Sequence, residues 1–401
     1  MRADCAAGSA HSCPRFGPRL YDPTVILVAG GLMTLGVAMV YSASATLDQV
    51  GLNWRSWWES PLKQGVFAFL GFLAMLIAAH VDYRVLAWQR RKDGWRAGLL
   101  LALALALLVA VFIPGIGHQS LGARRAILVY GGPPIIQFQP SELAKVVLVI
   151  WLAALLTRPG PAGAGPGSPG TPASRDLRRG FLPAMLTGGA LVGLTGIEDY
   201  GTAALMGLVM LVLLCVGGAR WTHLALLVAL AGVAGAGLVV IKPHRIERIQ
   251  TFLSSAPDPA GAGYQVKQAL LAIGSGGWLG RGLGAGVQKY GYLPQDNNDF
   301  ILAIICEELG VVGGIAVVIL FVLLLGCGWR IAAHTPDPFG RLLALGLTLT
   351  ICLQAAMNVG VVTNSIPTKG ISLPFVSAGG SGVVFLGVAA GLLAAVGRRV
   401  G

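Results

Sequence analysis

The chain is 401 residues long, 55% hydrophobic and only 11% charged, with a formal net charge of +12 and a mean hydropathy of +0.73. Soluble domains carry about 25% charged residues, so the composition excludes a soluble globular protein and calls for an integral membrane one. The positive charge does not define a nucleic-acid binder, because Lys and Arg are scattered over short loops with no aromatic-basic platform.

Apolar spans fall near 24–44, 64–80, 97–113, 140–157, 181–197, 200–217, 223–241, 299–326, 342–363 and 373–397. The predicted fold is therefore an all-α integral membrane bundle of about ten transmembrane helices. Residues 1–22 form a cytoplasmic tail and 23–401 a single polytopic membrane domain. Within it, the Gly- and Pro-rich stretch 158–179 reads as a flexible cytoplasmic linker, and 242–298 is one large extracytoplasmic loop between spans seven and eight. An even number of spans puts both termini on one side. The larger share of the 29 Lys and Arg lies there, so the termini are cytoplasmic by the positive-inside rule.

Only Glu198-Asp199-Tyr200 separates the fifth span from the sixth. A tight polar outer turn is the preferred reading, and one long broken helix is the alternative. The six cysteines have no metal-ligand spacing and read as packing residues. In the long loop, His244–Leu253 has its apolar residues on one side, as in an amphipathic helix at the interface. The loop is net positive, which suits phosphate or anionic membrane lipid equally.

The most unusual stretch is Tyr290–Gly310, YGYLPQDNNDFILAIICEELG. A polar approach runs into a long apolar helix expected to begin at Asp299. A carboxylate there is either a simple N-cap or a working group. From Asp299 to Gly326 such a helix would be roughly 42 Å long. The apolar slab needs about 20 residues, so Asp299 would stand about 12 Å above it, at headgroup level, within reach of the polar head of a lipid-linked substrate. From the helical period Glu307 lies about 80° and Glu308 about 180° from Asp299, making Glu307 the better candidate to share its face.

Other polar groups at membrane depth are functional candidates. Glu142 and Lys145, spaced i,i+3, form either a structural ion pair or part of a working site, with Lys145 alternatively reaching Glu307 or Glu308. Arg124 and Arg125 run against the positive-inside trend and invite an anionic partner. Lys369, in Pro367-Thr368-Lys369-Gly370, and Ser377, in Ser377-Ala378-Gly379-Gly380-Ser381, frame the start of the last helix, where backbone N–H groups can hold an anion.

Taken in order, GARR (122–125), FQPSELAK (138–145), DYGTA (199–203), the GYQ…AIGSGG loop motif, DFI with EELG (299–310) and PTKGISLPFVSAGGS (367–381) resemble the SEDS proteins, the family of FtsW, RodA and SpoVE. The resemblance runs from about Asp22 to the C-terminus and includes YSAS (41–44) and VDYR (81–84). It implies a peptidoglycan glycosyltransferase that polymerises lipid II at the outer face of the cytoplasmic membrane. It also implies a partner, a class B penicillin-binding transpeptidase. The family's essential aspartate falls on Asp299. Its arginine, SELAK and PTKG positions fall on Arg124 or Arg125, Glu142, Lys145 and Lys369, and Gln265, Lys289 and Ser377 join them as substrate-binding candidates. Lys369 is nearer the division-type FtsW pattern than the elongation-type RodA. The sequence departs at Asn297-Asn298, where the family has His-Thr, and at Ala126, Glu198, Ala378 and Gly382.

On this reading Asp299 is a general base, and Arg124, Arg125, Lys369 and the loop's basic residues take up the charge of a leaving diphosphate. Glu307 and Glu308 support the site structurally. The resemblance and the chemistry allow Mg or Mn on the diphosphate, although the sequence shows no closed ligand set. The competing readings are a lipid-linked-oligosaccharide transporter and a non-catalytic scaffold for a transpeptidase. A transporter calls for ionisable groups through the midplanes of the spans, whereas here they gather at the outer face.

Overall fold

The structure, a computed structural model, describes residues 21–44, 61–88, 95–120, 123–130, 136–158, 180–241, five residues between 245 and 252, 262–288 and 298–399. Its helices are α1 (Tyr21–Ser44), α2 (Pro61–His80), α3 (Trp95–Ala110), α4 (Pro140–Leu156), α5 (Leu182–Glu198), α6 (Tyr200–Val216), α7 (Trp221–Ile241), α8 (Ala262–Gly276), α9 (Ile301–His334), α10 (Pro338–Val362) and α11 (Ser381–Gly397). All but α8 fall on the ten expected spans. By length and composition, α1, α2, α7, α9 and α10 are each able to cross a membrane, while α3, α5, α6 and α11 are shorter apolar helices. The 1–22 tail and the 158–179 linker lie, nearly whole, outside the described residues.

Helix α4 is the hub. All its residues but Leu143 are buried, because α3, α5, α6, α10 and α11 pack around it. Its charged pair, Glu142 and Lys145, suits this position, since ionisable groups in a membrane bundle face its interior and pair there. Helices α2 and α11 meet backbone to backbone: a side chain on Gly387 would run into the Gly71 carbonyl and one on Gly391 into that of Met75. Small residues at such positions let membrane helices approach closely.

The Glu198-Asp199-Tyr200 junction is a tight turn, as preferred. Asp199 links α5 to α6, and Gly188 lies against Met210 while Gly196 lies against Ala203, the pairing of an antiparallel hairpin. The Asp199 carboxylate caps α6, accepting from Thr202 N (3.0 Å) and Thr202 Oγ1 (2.8 Å).

Three expectations change. The last helix begins at Ser381, not 373, so the whole stretch 363–380, with Lys369 and Ser377, is loop. A small antiparallel sheet, unanticipated in an all-helical reading, precedes α4: β1 (Gly117–Ser120), β2 (Ala123–Tyr130) and β3 (Ile136–Phe138), in the order β1-β2-β3. The third change concerns α9. It starts at Ile301 rather than Asp299 and is broken at Gly310 (φ 77°, ψ 178°), a conformation open essentially to glycine alone. A single 42 Å rod from Asp299 is therefore replaced by a buried half-helix, 301–309, and a spanning segment from 311 onward.

The break is filled by the chain that follows α8. A broken helix leaves carbonyls on one side and N–H groups on the other without partners, at a depth where water cannot supply them. Here Arg281 N and Gly282 N donate to the carbonyls of Glu307 and Glu308 (both 3.0 Å), and Val311 N and Val312 N donate to the carbonyls of Gly277 (2.9 Å) and Trp278 (3.3 Å). The two glutamate side chains complete this joint. Glu307, fully buried, accepts from Val287 N (2.8 Å) and lies 3.9 Å from the Arg281 guanidinium. Glu308 accepts from Ser42 Oγ of α1 (2.6 Å). Neither glutamate shares a face with Asp299, because Asp299 is not on the helix from which the angle was reckoned, and neither meets Lys145.

Candidate active site

The site lies where the start of α9, strand β2, the α5–α6 turn and the 363–380 loop converge. Asp299 sits in the turn just ahead of α9. Phe300, not Asp299, occupies the cap position, and no side chain caps the helix, so the simple N-cap reading has no bond behind it. The Asp299 backbone is held from outside: its carbonyl accepts from Asn358 Nδ2 of α10 (2.8 Å). A side chain added at Gly370 would come within 3.3 Å of both Arg125 Nη1 and Asp299 Oδ2, so the glycine lets the Lys369–Ile371 segment lie against the carboxylate and the guanidinium together.

Asp299 is partly exposed, yet its surroundings are dense. Burial pushes its carboxyl up to about 6 from the ordinary 3.8, the negative charge of Asp199 adds to this, and Arg125 and Arg248 oppose it. Lys369 projects over the Tyr200 ring, its Nζ 5.0 Å from the centroid, and burial lowers its pKa. Arg245 stands 5.6 Å from the same ring and donates to the carbonyls of Gly196 (3.2 Å) and Ile197 (2.9 Å) at the end of α5, where a cation suits the helix dipole.

Beside this cluster is a small cleft lined by Leu108, Val111 and Phe112 together with Arg125, Thr195 and Asp199. Arg125 Nε and Thr195 Oγ1 are buried without a hydrogen-bond partner among the described residues.

The expected residues divide. Asp299, Arg125 and Lys369 come together. Glu142 and Lys145 are buried within the bundle and pair with each other (2.8 Å), and Lys145 also donates to Gln354 Oε1 (2.6 Å), whose amide reaches the Ser372 carbonyl (2.9 Å). Of the two roles weighed for this pair, the geometry matches the structural one. Ser377 is buried and its hydroxyl is taken up by the backbone, donating to the Asn298 carbonyl (2.6 Å) and accepting from Leu373 N (2.7 Å). Gln265, in the first turn of α8, makes no hydrogen bond to the Asp299 cluster among the described residues. Arg124 sits next to Arg125 on β2 with Gln119 as its backbone partner; its side chain and Lys289 lie outside the described residues. The helix expected over His244–Leu253 is seen at its five described residues, all helical.

The sequence reading passed over Asn358, Thr195, Asp199 as a neighbour of Asp299, and Tyr200 as a platform for Lys369. Gln354 and Asn358 are polar residues four apart inside an apolar span, and that signal was open to the rule already applied to Glu142.

The described residues do not fit a divalent cation held by the protein alone. No group of three His, Cys, Asp or Glu converges among them, Asp199 is engaged by Thr202, and the charges acting on Asp299 include Arg125 and Arg248.

A polytopic helical bundle with Asp299 set beside Arg125 and the Lys369 segment defines a class, a multi-pass membrane protein with a charged site between its helices. The chain belongs to the cell cycle protein family of FtsW, RodA and SpoVE, which it matches over residues 23–400. It is 38% identical over 383 residues to a probable peptidoglycan glycosyltransferase FtsW of Geobacter sp. (strain M18), covering 95% of this chain and 97% of that one. It is also 38% identical over 379 residues to stage V sporulation protein E of Bacillus subtilis (strain 168), covering 94% and 97%. Among solved structures, it superposes with TM-score 0.70 and 26% identity on a chain from work on the structural coordination of polymerization and crosslinking by a peptidoglycan synthase complex, covering 94% and 97%. The Thermus thermophilus rod shape determining protein RodA gives 0.61 and 25%, covering 93% and 95%.

Proposed function

We infer that the chain is a peptidoglycan glycosyltransferase that polymerises lipid II into glycan strands for septal or elongation wall synthesis. The observation that carries the chemistry is the Asp299 carboxyl, raised to about 6, beside Arg125 and the Lys369 segment. In the reaction the acceptor sugar hydroxyl gives its proton to Asp299 as its oxygen bonds to the donor's anomeric carbon. The bond from that carbon to the diphosphate oxygen breaks on the opposite face, so the centre inverts. Arg125, Lys369 and Arg248 take up the charge that develops on the departing diphosphate lipid, the electrostatic term that dominates most such reactions. A base with its pKa near the working pH is ionised enough to act and basic enough to accept the proton.

The active site faces outward from the cytoplasmic membrane and both termini are cytoplasmic. The support is the distribution of Lys and Arg. In intact spheroplasts, a cysteine placed at Ser255 is expected to react with an impermeant thiol reagent and one at Ser168 is not; the reverse labelling contradicts this orientation.

The partner is a class B penicillin-binding transpeptidase, consistent with the synthase complex whose chain this one resembles. Purified protein in lipid vesicles with lipid II tests function and partner together. Glycan strands are expected, with more turnover when the transpeptidase is present. Disaccharide left unpolymerised in both samples overturns the enzymatic reading, and equal turnover in both overturns the partner.

A further inference from the structure

We propose that Asn358 is a positioning residue that locks the catalytic carboxylate of Asp299 to the loop carrying Lys369. This rests on the reading of Asp299 as general base. Asp299 stands outside the helix that follows it: the first helical bonds of α9 run to the Phe300 carbonyl, from Ala303 N (2.9 Å) and Ile304 N (3.4 Å). The helix ladder therefore fixes Phe300 and leaves the orientation of Asp299 to other groups.

Those groups come from one direction. Asn358, fully buried on α10, donates one N–H of its Nδ2 to the Asp299 carbonyl and the other to the Ile371 carbonyl, both at 2.8 Å. Ser377 makes the matching link one residue earlier, from its Oγ to the Asn298 carbonyl at 2.6 Å. Two successive carbonyls before α9 are thus tied to the 371–377 loop. That loop is continuous with Lys369 and Gly370, and Gly370 lies against Asp299 Oδ2 and Arg125 Nη1. The carboxylate and the loop cation become one unit, with Asn358 as the bolt.

The chemistry of the position is narrow. Bridging two carbonyls requires a side chain with two N–H groups on one atom and no positive charge to desolvate, which is a primary amide. Aspartate would turn lone pairs toward both carbonyls, and leucine would fill the space with no donor. Asn358 Oδ1 is buried without a hydrogen-bond partner among the described residues, so it is the amide nitrogen that the fold uses. Asn358 is fully enclosed and does not reach substrate, which makes it a positioning residue and not a catalytic one.

The test compares Asn358→Ala, Asn358→Leu and Asp299→Asn in the full chain with lipid II, measuring kcat, KM, the pH profile and thermal unfolding, with rates normalised to folded protein. Misplacement of a catalytic group by about 1 Å costs on the order of 10²-fold. Both Asn358 variants are expected to lose kcat on that scale, to keep KM within about twofold, and to displace the acid limb of the pH–rate profile. A structural role alone would lower the melting temperature and leave the normalised kcat and the acid limb unchanged, and that result overturns the proposal. Full activity in Asp299→Asn overturns the general-base reading beneath it. An inactive Asp299→Asn beside wild-type kcat in the Asn358 variants overturns the positioning role alone.

Discussion

Lys145→Met is expected to destabilise the protein by about 3–5 kcal/mol, because it leaves the buried Glu142 carboxylate without its counter-ion. Glu142 and Lys145 are 6% and 2% exposed, so water does not replace what is removed, and Gln354 loses its 2.6 Å donor at the same time. The pair itself adds little net stability, since desolvating two charges offsets most of their attraction. Accordingly Glu142→Leu with Lys145→Met should recover most of the loss, as apolar side chains suit a position surrounded by the bundle. Thermal unfolding in detergent reads both effects. The double variant is also expected to keep most of its polymerase activity. A stable double variant that makes no glycan strands would return these two residues to the substrate.

Asp299→Asn is expected to lower polymerisation by about 10²–10⁴-fold with normal membrane insertion. Asparagine keeps the size of the side chain and removes its charge and basicity. No capping bond is lost, because the cap position belongs to Phe300, and the backbone contacts to Asn358 and Ser377 use the main-chain carbonyls of 299 and 298. The change should not destabilise the fold, because burial and Asp199 already disfavour the ionised carboxylate more than Arg125 and Arg248 favour it, and asparagine removes that charge. Asp296→Asn, three residues earlier, is the matched control and is expected to retain most activity. Comparable loss in both variants would assign the effect to the local charge of the loop and not to a base at 299.

The helical bundle was legible because apolar length is written directly in the sequence: a run of about 20 apolar residues has few other uses. The orientation of Glu142 toward Lys145 was legible for a similar reason, since residues three apart on a helix are neighbours. The break at Gly310 was not. A glycine inside an apolar run reads as continuous helix, and only the loop arriving from α8 shows that four backbone groups are satisfied from outside. The face assigned to Glu307 failed for a separate reason: the helix starts at Ile301, so Asp299 lies in the turn before it and the angle reckoned from Asp299 does not apply. The sheet of β1 to β3 escaped for a different reason: its strands are three to eight residues long, too short for a period of two to stand out. Asp299, Arg125 and Lys369 could be picked singly as charges at the ends of apolar spans or between them. Their convergence, and the roles of Asn358 and Tyr200 in it, depends on contacts between residues far apart in the chain, which no local pattern encodes.

The most direct test of Asp299 as general base is the pH dependence of kcat/KM for lipid II polymerisation by the wild-type protein. A base works when deprotonated, so activity must fall as pH drops through its pKa. With the Asp299 carboxyl raised to about 6 by burial and by Asp199, the acid limb is predicted near pH 6, about two units above an ordinary aspartate. Rates that stay level from about pH 7 down to about pH 5 would contradict the account.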